Sequence, residues 1–243
     1  MFRTLSALCL IFLFGCTSSH KFSQDWLVKE KLLIESDNNQ ALVILYKEQL
    51  KNRNDVEVMI KLSQAYLKLN DTKSALFFIE KVNLENEPTE LSLFIEASAL
   101  NQQGNNEKSR RVALSVLDIN KKNTDAINLL GVISSELGAY EAASEYFKKA
   151  KALYHDDDVV SNNLAILHIL KGEYQDAVDL LMPIFNKDSG NRKVKSNLLF
   201  ALAKSKQVEL WFEVSRSRND PMWKEKYIAL QSSSLAIGGN NEV

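Results

Sequence analysis

Apolar residues recur three and four positions apart along most of the chain, the spacing that places them on one face of an α-helix. Ala143, Phe147 and Ala150 follow this pattern, with gaps of four and three residues. Short breaks rich in glycine, asparagine and serine separate the apolar stretches and predict turns. The pattern leaves no room for strands, so the sequence predicts an all-α protein.

The predicted helices repeat every 34 residues. A small residue recurs five times at this spacing, and a turn residue stands five positions before each one. The small residues are Ala41, Ala75, Ser109, Ala143 and Ala177, and the turn residues are Ser36, Asn70, Gly104, Gly138 and Gly172. Because chance matches would not keep register over five periods, the sequence predicts a stack of helix pairs.

Each period has a simple physical interpretation. Gly138 is predicted to end a first helix in a backbone conformation that a Cβ atom would oppose. Small residues at Gly131 and Ala143 would allow the two helices of a pair to approach closely. The pattern resembles the tetratricopeptide repeat (TPR), most clearly at Leu130, Gly131, Gly138, Tyr140, Ala143, Phe147 and Ala150.

The repeat frame divides the chain into units. They run over 22–55, 56–89, 90–123, 124–157 and 158–191, followed by a degenerate pair over 192–217. The resemblance implies a TPR-type helix-pair superhelix, with a TPR array over 25–217 and a capping helix pair at its end. Pro183 is expected to bend or shorten its helix. Residues 218–243 are predicted to form a helix around Trp223 and a flexible tail, because serine, glycine and asparagine dominate after Ser232.

The N-terminus has the features of a processing segment. Arg3 precedes an apolar run over 5–14, which is shorter than the roughly 20 residues that a membrane-spanning helix needs. The run ends in Leu13-Phe14-Gly15-Cys16, which resembles the bacterial lipobox. This resemblance implies a lipoprotein signal peptide over 1–15, lipidation of Cys16 and a polar tether over 16–24. An ordinary secretory signal with a chance cysteine is the alternative.

The residue after Cys16 bears on localisation. Thr17 stands where an aspartate would resemble an inner-membrane retention signal. We therefore expect a lipid-anchored protein at the periplasmic face of the outer membrane.

Composition and the remaining motifs argue against several classes of function. The net charge is -1 and no run of basic residues is present, so nucleic acid is not an expected partner. Both cysteines lie at the N-terminus, which excludes a disulfide framework or a cysteine-rich metal site for the folded part. No phosphate-binding glycine loop or nucleophile motif is present. None of the three histidines has a carboxylate or cysteine partner at metal-ligand spacing, and Asp158 is predicted to cap a helix. The chain is therefore predicted to be a scaffold without enzymatic activity, cofactor or metal.

Stacked helix pairs curve, and their first helices line the concave face. The predicted groove positions are Asp125, Asn128, Val132 and Ser135 in the fourth unit, Val159, Asn162, Ile166 and Ile169 in the fifth, and Lys193, Ser196 and Phe200 in the last pair. Apolar side chains with amides between them suit a bound protein segment, because amides can bond its backbone. Alternatively, the helix around Trp223 covers this groove.

One stretch of the chain resembles a narrower family. Sequences at 129–132, 162–165, 180–183 and 192–198 resemble the TadD-type lipoproteins of tight-adherence (Flp) pilus assembly. This resemblance implies an outer-membrane scaffold that assists the localisation or assembly of a secretin. Two alternatives share the same anchor and groove: a pilotin of type IV pili, and an adaptor that recruits peptidoglycan hydrolases or envelope proteases.

Overall fold

The computed structural model describes residues 17–51, 54–153, 157–215 and 221–233, with side chains from residue 25 onward. Every regular element in these ranges is an α-helix, which confirms the predicted all-α fold. The helices are α1 Thr17–Glu35, α2 Asn39–Leu50, α3 Val56–Lys68, α4 Thr72–Glu85, α5 Glu90–Gln102, α6 Asn106–Ile119, α7 Thr124–Glu136, α8 Tyr140–Ala152, α9 Asp157–Lys171, α10 Tyr174–Lys187, α11 Arg192–Lys204, α12 Val208–Ser215 and α13 Trp223–Ser232.

The predicted signal peptide and the lipidation site Cys16 lie outside the described residues. The predicted tether does not form an extended linker, because α1 begins at Thr17 and continues without a break to Glu35. Among the described residues, no helix combines the length and the apolar character needed to cross a membrane.

Side-chain caps fix the starts of the first helices of successive pairs. A capping side chain accepts a backbone N–H bond two or three residues into the helix and satisfies a donor that would otherwise be unpaired. The capping residues follow the 34-residue frame and are Asp55, Thr89, Asn123 and Asn191. Asp157 falls in the same series but already belongs to α9. Asp158 is therefore inside the helix, where it accepts a bond from Lys187, and its predicted capping role is wrong.

The turns within the helix pairs share one unusual conformation. Asn70, Gly104, Gly138 and Gly172 have φ values of 59°, 77°, 75° and 79°, as the repeat frame predicts. Lys206 continues the series with φ 63°. In the first pair the prediction is one residue early, because Asp37 and not Ser36 takes this conformation, with φ 48°.

Small residues bring paired helices into close contact, as predicted. A Cβ atom added to Gly131 would lie only 2.5 Å from Cε1 of Phe147, so α7 and α8 could not approach this closely with a larger residue. In the preceding pair, Oγ of Ser109 donates a 2.7 Å bond to the carbonyl oxygen of Ala97. Ser109 is thus small enough for close helix contact, and this bond satisfies its buried hydroxyl group.

The chain divides into two compact units, Met1–Phe78 and Ile79–Val243. The first contains a core of Leu42, Tyr46, Val58, Leu62 and Ala65. The second contains successive apolar clusters, because each helix pair buries its apolar face against the next. The fully buried residues of this unit include Ile95, Ile127, Leu130, Ile133, Phe147, Val160, Leu181, Leu198 and Leu202.

The end of the second unit differs from expectation in one detail. Pro183 lies inside α10, which nevertheless runs to Lys187, so the predicted shortening does not occur. Helix α13 packs against α11 and α12: Tyr227 contacts Trp211, and Trp223 contacts Phe212. The main packing partner of α13 is α11, and α13 shows no comparable packing on α7 or α9. The predicted terminal helix is therefore present, and the amides of α7 and α9 are not beneath it.

Candidate partner-binding groove

Two amide pairs connect the first helices of three successive helix pairs. Nδ2 of Asn163 on α9 donates a 2.9 Å bond to Oδ1 of Asn128 on α7. Nδ2 of Asn197 on α11 donates a 3.1 Å bond to Oδ1 of Asn162 on α9. The partners are 35 residues apart in both pairs, so one repeat geometry produces both bonds.

These amides retain unused hydrogen-bonding capacity. Each side-chain amide offers two N–H donors and two acceptor lone pairs, and each pair uses one donor and one acceptor. Nδ2 of Asn128 and of Asn162 donates to no other side chain or backbone group in the described part of the chain. The row can therefore both donate to and accept from the backbone of an extended segment.

A pocket opens beside this row, between α9 and α11. It is shallow, has a volume of about 420 Å³ and includes four predicted groove residues: Asn162, Ile166, Lys193 and Ser196. Arg192 and Asn197 complete its lining. We call the surface formed by these six residues and the Asn128–Asn163 pair the amide groove.

The other predicted apolar groove positions differ in exposure. Val159, near the start of α9, is 42% exposed. Val132 is half-buried and packs against the core cluster that contains Phe147. Phe200 is half-buried too, with Tyr174 at one side of its ring and Nζ of Lys204 5.4 Å from its centroid. Phe200 and Val132 thus contribute mainly to packing.

Two predicted groove positions belong to the interior. Ile169 is only 5% exposed and lies in the core cluster shared by α9, α10 and α11. Ser135 is buried, and its Oγ donates to the carbonyl oxygen of Gly131. The reason is geometric: three residues turn a helix by about 300°, so Ile169 is rotated by about 60° from Ile166 towards the paired helix.

Sequence reasoning missed Asn163, Asn197 and Arg192. The 34-residue frame compares residues that occupy the same position in successive units. Each amide bond instead joins one position in a unit to the following position in the next unit, so its partners are 35 residues apart. A search for polar pairs 35 residues apart would have found both bonds.

Carboxylates also join neighbouring repeats in the second unit. Glu90 accepts bonds from Asn123 and Asn120, and these bonds lower the pKa of its carboxyl group. Glu136, at the end of α7, accepts a bond from Asn101. Burial raises the pKa of Glu136, although the bond from Asn101 acts in the opposite direction. These contacts fix the spacing of the first helices.

Three side chains that could bind a metal ion, His168, Glu173 and Asp176, lie close together at the turn between α9 and α10. Nδ1 of His168 lies 2.7 Å from Glu173, so the prediction that no histidine has a carboxylate partner is wrong. Ligand atoms of His168, Glu173 and Asp176 lie within 4.8 Å of one another. Lys171 approaches the second oxygen of Glu173 at 2.9 Å, and its bond, followed by that of His168, lowers the pKa of Glu173. Both oxygens of Glu173 are thus already engaged, and the cluster stabilises the turn.

Repeated helix pairs with left-handed turns at a 34-residue spacing define a TPR-like repeat protein. The family model described as the tetratricopeptide repeat protein 21 C-terminal ARM domain matches residues 20–202. The chain belongs to this family. TPR folds typically serve as non-catalytic scaffolds for protein–protein interaction.

Solved structures support the same fold. A thermophilic TPR protein from Thermus thermophilus, TTC0263, is 18% identical, with a TM-score of 0.63 over 74% of this chain and 98% of that one. A tetratricopeptide repeat protein from Parabacteroides merdae is 14% identical, with a TM-score of 0.52 over 86% and 96% of the two chains. YrrB, described as a TPR protein with an unusual peptide-binding site, is 12% identical, with a TM-score of 0.51 over 74% and 97%. No curated protein matches the chain at significant similarity.

Proposed function

We propose that this protein is a lipid-anchored TPR scaffold at the periplasmic face of the outer membrane. In this proposal the amide groove holds an extended segment of a protein partner. The partner is an outer-membrane secretin or another assembly component of the Flp (Tad) pilus, and the scaffold assists its localisation or assembly.

The observation that carries the proposal is the pair of amide bonds across α7, α9 and α11. They hold four asparagine side chains in a row while leaving donors and acceptors unused. Leaving a buried backbone N–H or C=O unpaired costs about 1–3 kcal/mol, so a surface that pairs such groups favours an extended segment. The half-buried Ile166 beside the row offers apolar contact to a side chain of that segment. The peptide-binding site named for YrrB is a precedent within the TPR fold.

The anchor and the pilus assignment rest on the sequence. The lipobox-like Leu13-Phe14-Gly15-Cys16 supports acylation, and several acyl chains would give stable attachment because each buried CH₂ contributes about 0.8 kcal/mol. The similarity of 129–132, 162–165, 180–183 and 192–198 to TadD-type lipoproteins supports the secretin partner.

The test compares secretin multimers and piliation in cells that carry different variants. Ile166→Asp places a charge in the amide groove without removing a core residue, and we expect it to reduce multimers and piliation strongly. Cys16→Ser removes the proposed acylation site, so this variant should leave the membrane fraction and mislocalise the secretin. Phe200 is unsuitable for this test because it packs partly against the core.

Leu114→Asp is the matched control. Leu114 is an apolar residue on α6 of the same unit, is 40% exposed and lies outside the amide groove. The Leu114→Asp variant should leave the secretin multimers unchanged. Normal piliation in the Ile166→Asp strain, at wild-type protein levels, would exclude the amide groove as the functional surface. An unchanged outer-membrane location of the Cys16→Ser variant would exclude the anchor.

A further inference from the structure

Helix α1 has apolar side chains on two opposite sides. On the inner side, Trp26 and Leu33 pack against the core of the first unit. On the other side, four large apolar residues are each more than half exposed, and we call them the outer face of α1. They are Leu27, Val28, Leu32 and Ile34, with exposed fractions of 54%, 57%, 60% and 53%. A helix with apolar residues all round is normally buried, so the outer face is suited to an apolar contact outside the unit.

The charges within the outer face narrow the kind of contact. Successive residues are about 100° apart around a helix, so Lys31 and Glu35 lie in the middle of this face. Nζ of Lys31 is 3.8 Å from Oε1 of Glu35, and both side chains are mostly exposed. The cores of protein interfaces are depleted of charged residues. Lipid headgroups can solvate both charges while the apolar neighbours insert below them, so the mixture favours a lipid surface over a second protein copy.

The position of α1 in the chain brings a lipid surface to this face. The helix begins at Thr17, directly after the proposed acylation site Cys16, so no linker separates the anchor from α1. Because a helix rises 1.5 Å per residue, an upright α1 would hold Leu27 about 15 Å beyond its anchored end. The anchor and the whole outer face reach the bilayer together only if α1 lies along its surface. The anchor would also raise the effective concentration of lipid at this face, so a weak contact suffices.

We propose that the outer face of α1 lies on the bilayer that holds the Cys16 acyl chains, with its four apolar side chains inserted at the boundary between headgroups and acyl chains. This inference rests on the proposed anchor and adds an orientation. Glu30 on the inner side of α1 bonds to Tyr46 of α2 and pairs with Lys61 of α3, so the helix orients the first unit on the membrane. Because the charges within the face offset each other, the contact is apolar and needs no anionic lipid.

The test uses the lipoprotein purified from membranes after expression of the full chain. It is reconstituted into vesicles of phosphatidylethanolamine and phosphatidylcholine that contain lipids with a nitroxide quencher on the acyl chain. A genetically encoded dansyl amino acid replaces Leu32, and in a matched control it replaces Gln64, which is exposed on α3 of the same unit. We expect about threefold stronger quenching at position 32, because an interfacial helix buries its apolar face about 5–10 Å into the headgroup region. The difference should persist in about 1 M salt, where the screening length is about 3 Å.

A variant assigns the quenching to the outer face. Val28→Asp should lower the quenching at position 32 to the level at position 64, while the acyl chains keep the protein on the vesicles. The control is Gln40→Asp, at an exposed residue of α2, which should leave the quenching unchanged. Circular dichroism verifies the helical fold of each variant.

Flotation of the vesicles separates failure of the inference from failure of the anchor. A protein that floats with the vesicles but is quenched equally at positions 32 and 64 would overturn the inference and leave the anchor intact. A protein that does not float would contradict the proposed anchor, and the inference with it. Quenching that requires phosphatidylglycerol would show a contact through charge and overturn the apolar one. Energy transfer between copies labelled at position 32, without quenching by lipid, would assign the outer face to a second copy.

Discussion

The first and second units use the same pair of repeat positions in opposite ways. In the second unit, positions 35 residues apart hold Asn128 with Asn163 and Asn162 with Asn197. In the first unit the equivalent positions hold Trp26 and Lys61, and Nζ of Lys61 lies 5.6 Å from the Trp26 ring centroid. The amide pairs leave capacity for a ligand, whereas in the first unit Lys61 is engaged by side chains of the same unit.

Glu30 is the centre of the first unit's cluster. It is 6% exposed, accepts a 2.9 Å bond from the Tyr46 hydroxyl and pairs with Lys61 at 3.1 Å. Lys61 also pairs with Glu57 at 3.0 Å. Burial raises the pKa of Tyr46, and the bond to Glu30 raises it further. Lys61 thus offsets the charge of the buried Glu30 within the cluster.

The difference shows how one repeat scaffold can separate stability from recognition. A buried charge network is costly to disturb because any single removal leaves a partner unpaired. In a row of neutral amides, the loss of one hydrogen bond costs little free energy, and the amide groups that remain unpaired can form hydrogen bonds with a ligand. We therefore expect substitutions at equivalent positions to affect folding in the first unit and binding in the second.

Glu30→Ala should have the largest effect on stability. It leaves the buried Tyr46 hydroxyl without its acceptor, which costs about 1–3 kcal/mol, while Lys61 keeps its pair with Glu57. Hydrogen exchange measured by mass spectrometry should show loss of protection in α1, α2 and α3, with α7, α9 and α11 unchanged. The control is Glu35→Ala on the same helix, at an exposed residue that pairs with Lys31 at 3.8 Å. Unchanged protection of α1 in Glu30→Ala would contradict the role assigned to the cluster.

Gly138→Val should have an intermediate effect, confined to the second unit. Its φ of 75° opposes a Cβ atom, at a cost of about 1–2 kcal/mol. Urea denaturation should show this loss, whereas Ala139→Val at the neighbouring exposed residue should change stability much less. Lys206→Gly provides the converse test, because Lys206 has φ 63° and glycine should stabilise the turn. Destabilisation by Lys206→Gly would argue against this explanation.

The smallest expected effect is a loss of stability at alkaline pH, which should be larger in the first unit than in the second. The pKa of Tyr46 is raised by burial. Burial alone would lower the pKa of Lys61, but bonds to Glu57 and Glu30 outweigh it and raise that pKa. Both groups keep their protons longer in the folded state than in the unfolded state, whose pKa values are about 10 and 10.4. Their contribution is therefore complete below about pH 10 and is lost as pH rises through the folded values.

Hydrogen exchange after brief incubation at several alkaline pH values checks this prediction. Protection should fall in α1–α3 at a lower pH than in α7–α11, after correction for the pH dependence of intrinsic exchange. The Tyr46→Phe variant should reduce the difference, since its side chain cannot ionise. Equal loss of protection in both units would contradict the prediction.

The sequence predicted the helices and turns well because they depend on local geometry. Glycine or asparagine at a left-handed turn, and Gly131 against Phe147, leave periodic signals that are visible without a structure. The groove was predicted less well, because exposure depends on rotation about a helix axis. A shift of three residues separates Ile166 in the pocket from Ile169 in the core.

Contacts between repeats were the hardest to predict. Trp26 and Lys61, like Asn128 and Asn163, are distant in sequence, and their pairing depends on how neighbouring helices are offset. The buried position of Glu30 is a similar case, since a glutamate on a predicted helix is ordinarily exposed. Its partners Tyr46 and Lys61 become apparent only when the helices are packed.

Site-specific photo-crosslinking in living cells tests the central claim most directly. A benzophenone amino acid at position 166 would lie in the amide groove, and the same group at position 114 would lie on α6 of the same unit. If the groove holds the partner, position 166 should give a covalent adduct with the proposed secretin, and position 114 should give none. An adduct at position 114 alone, with both variants folded and expressed at equal levels, would contradict the account.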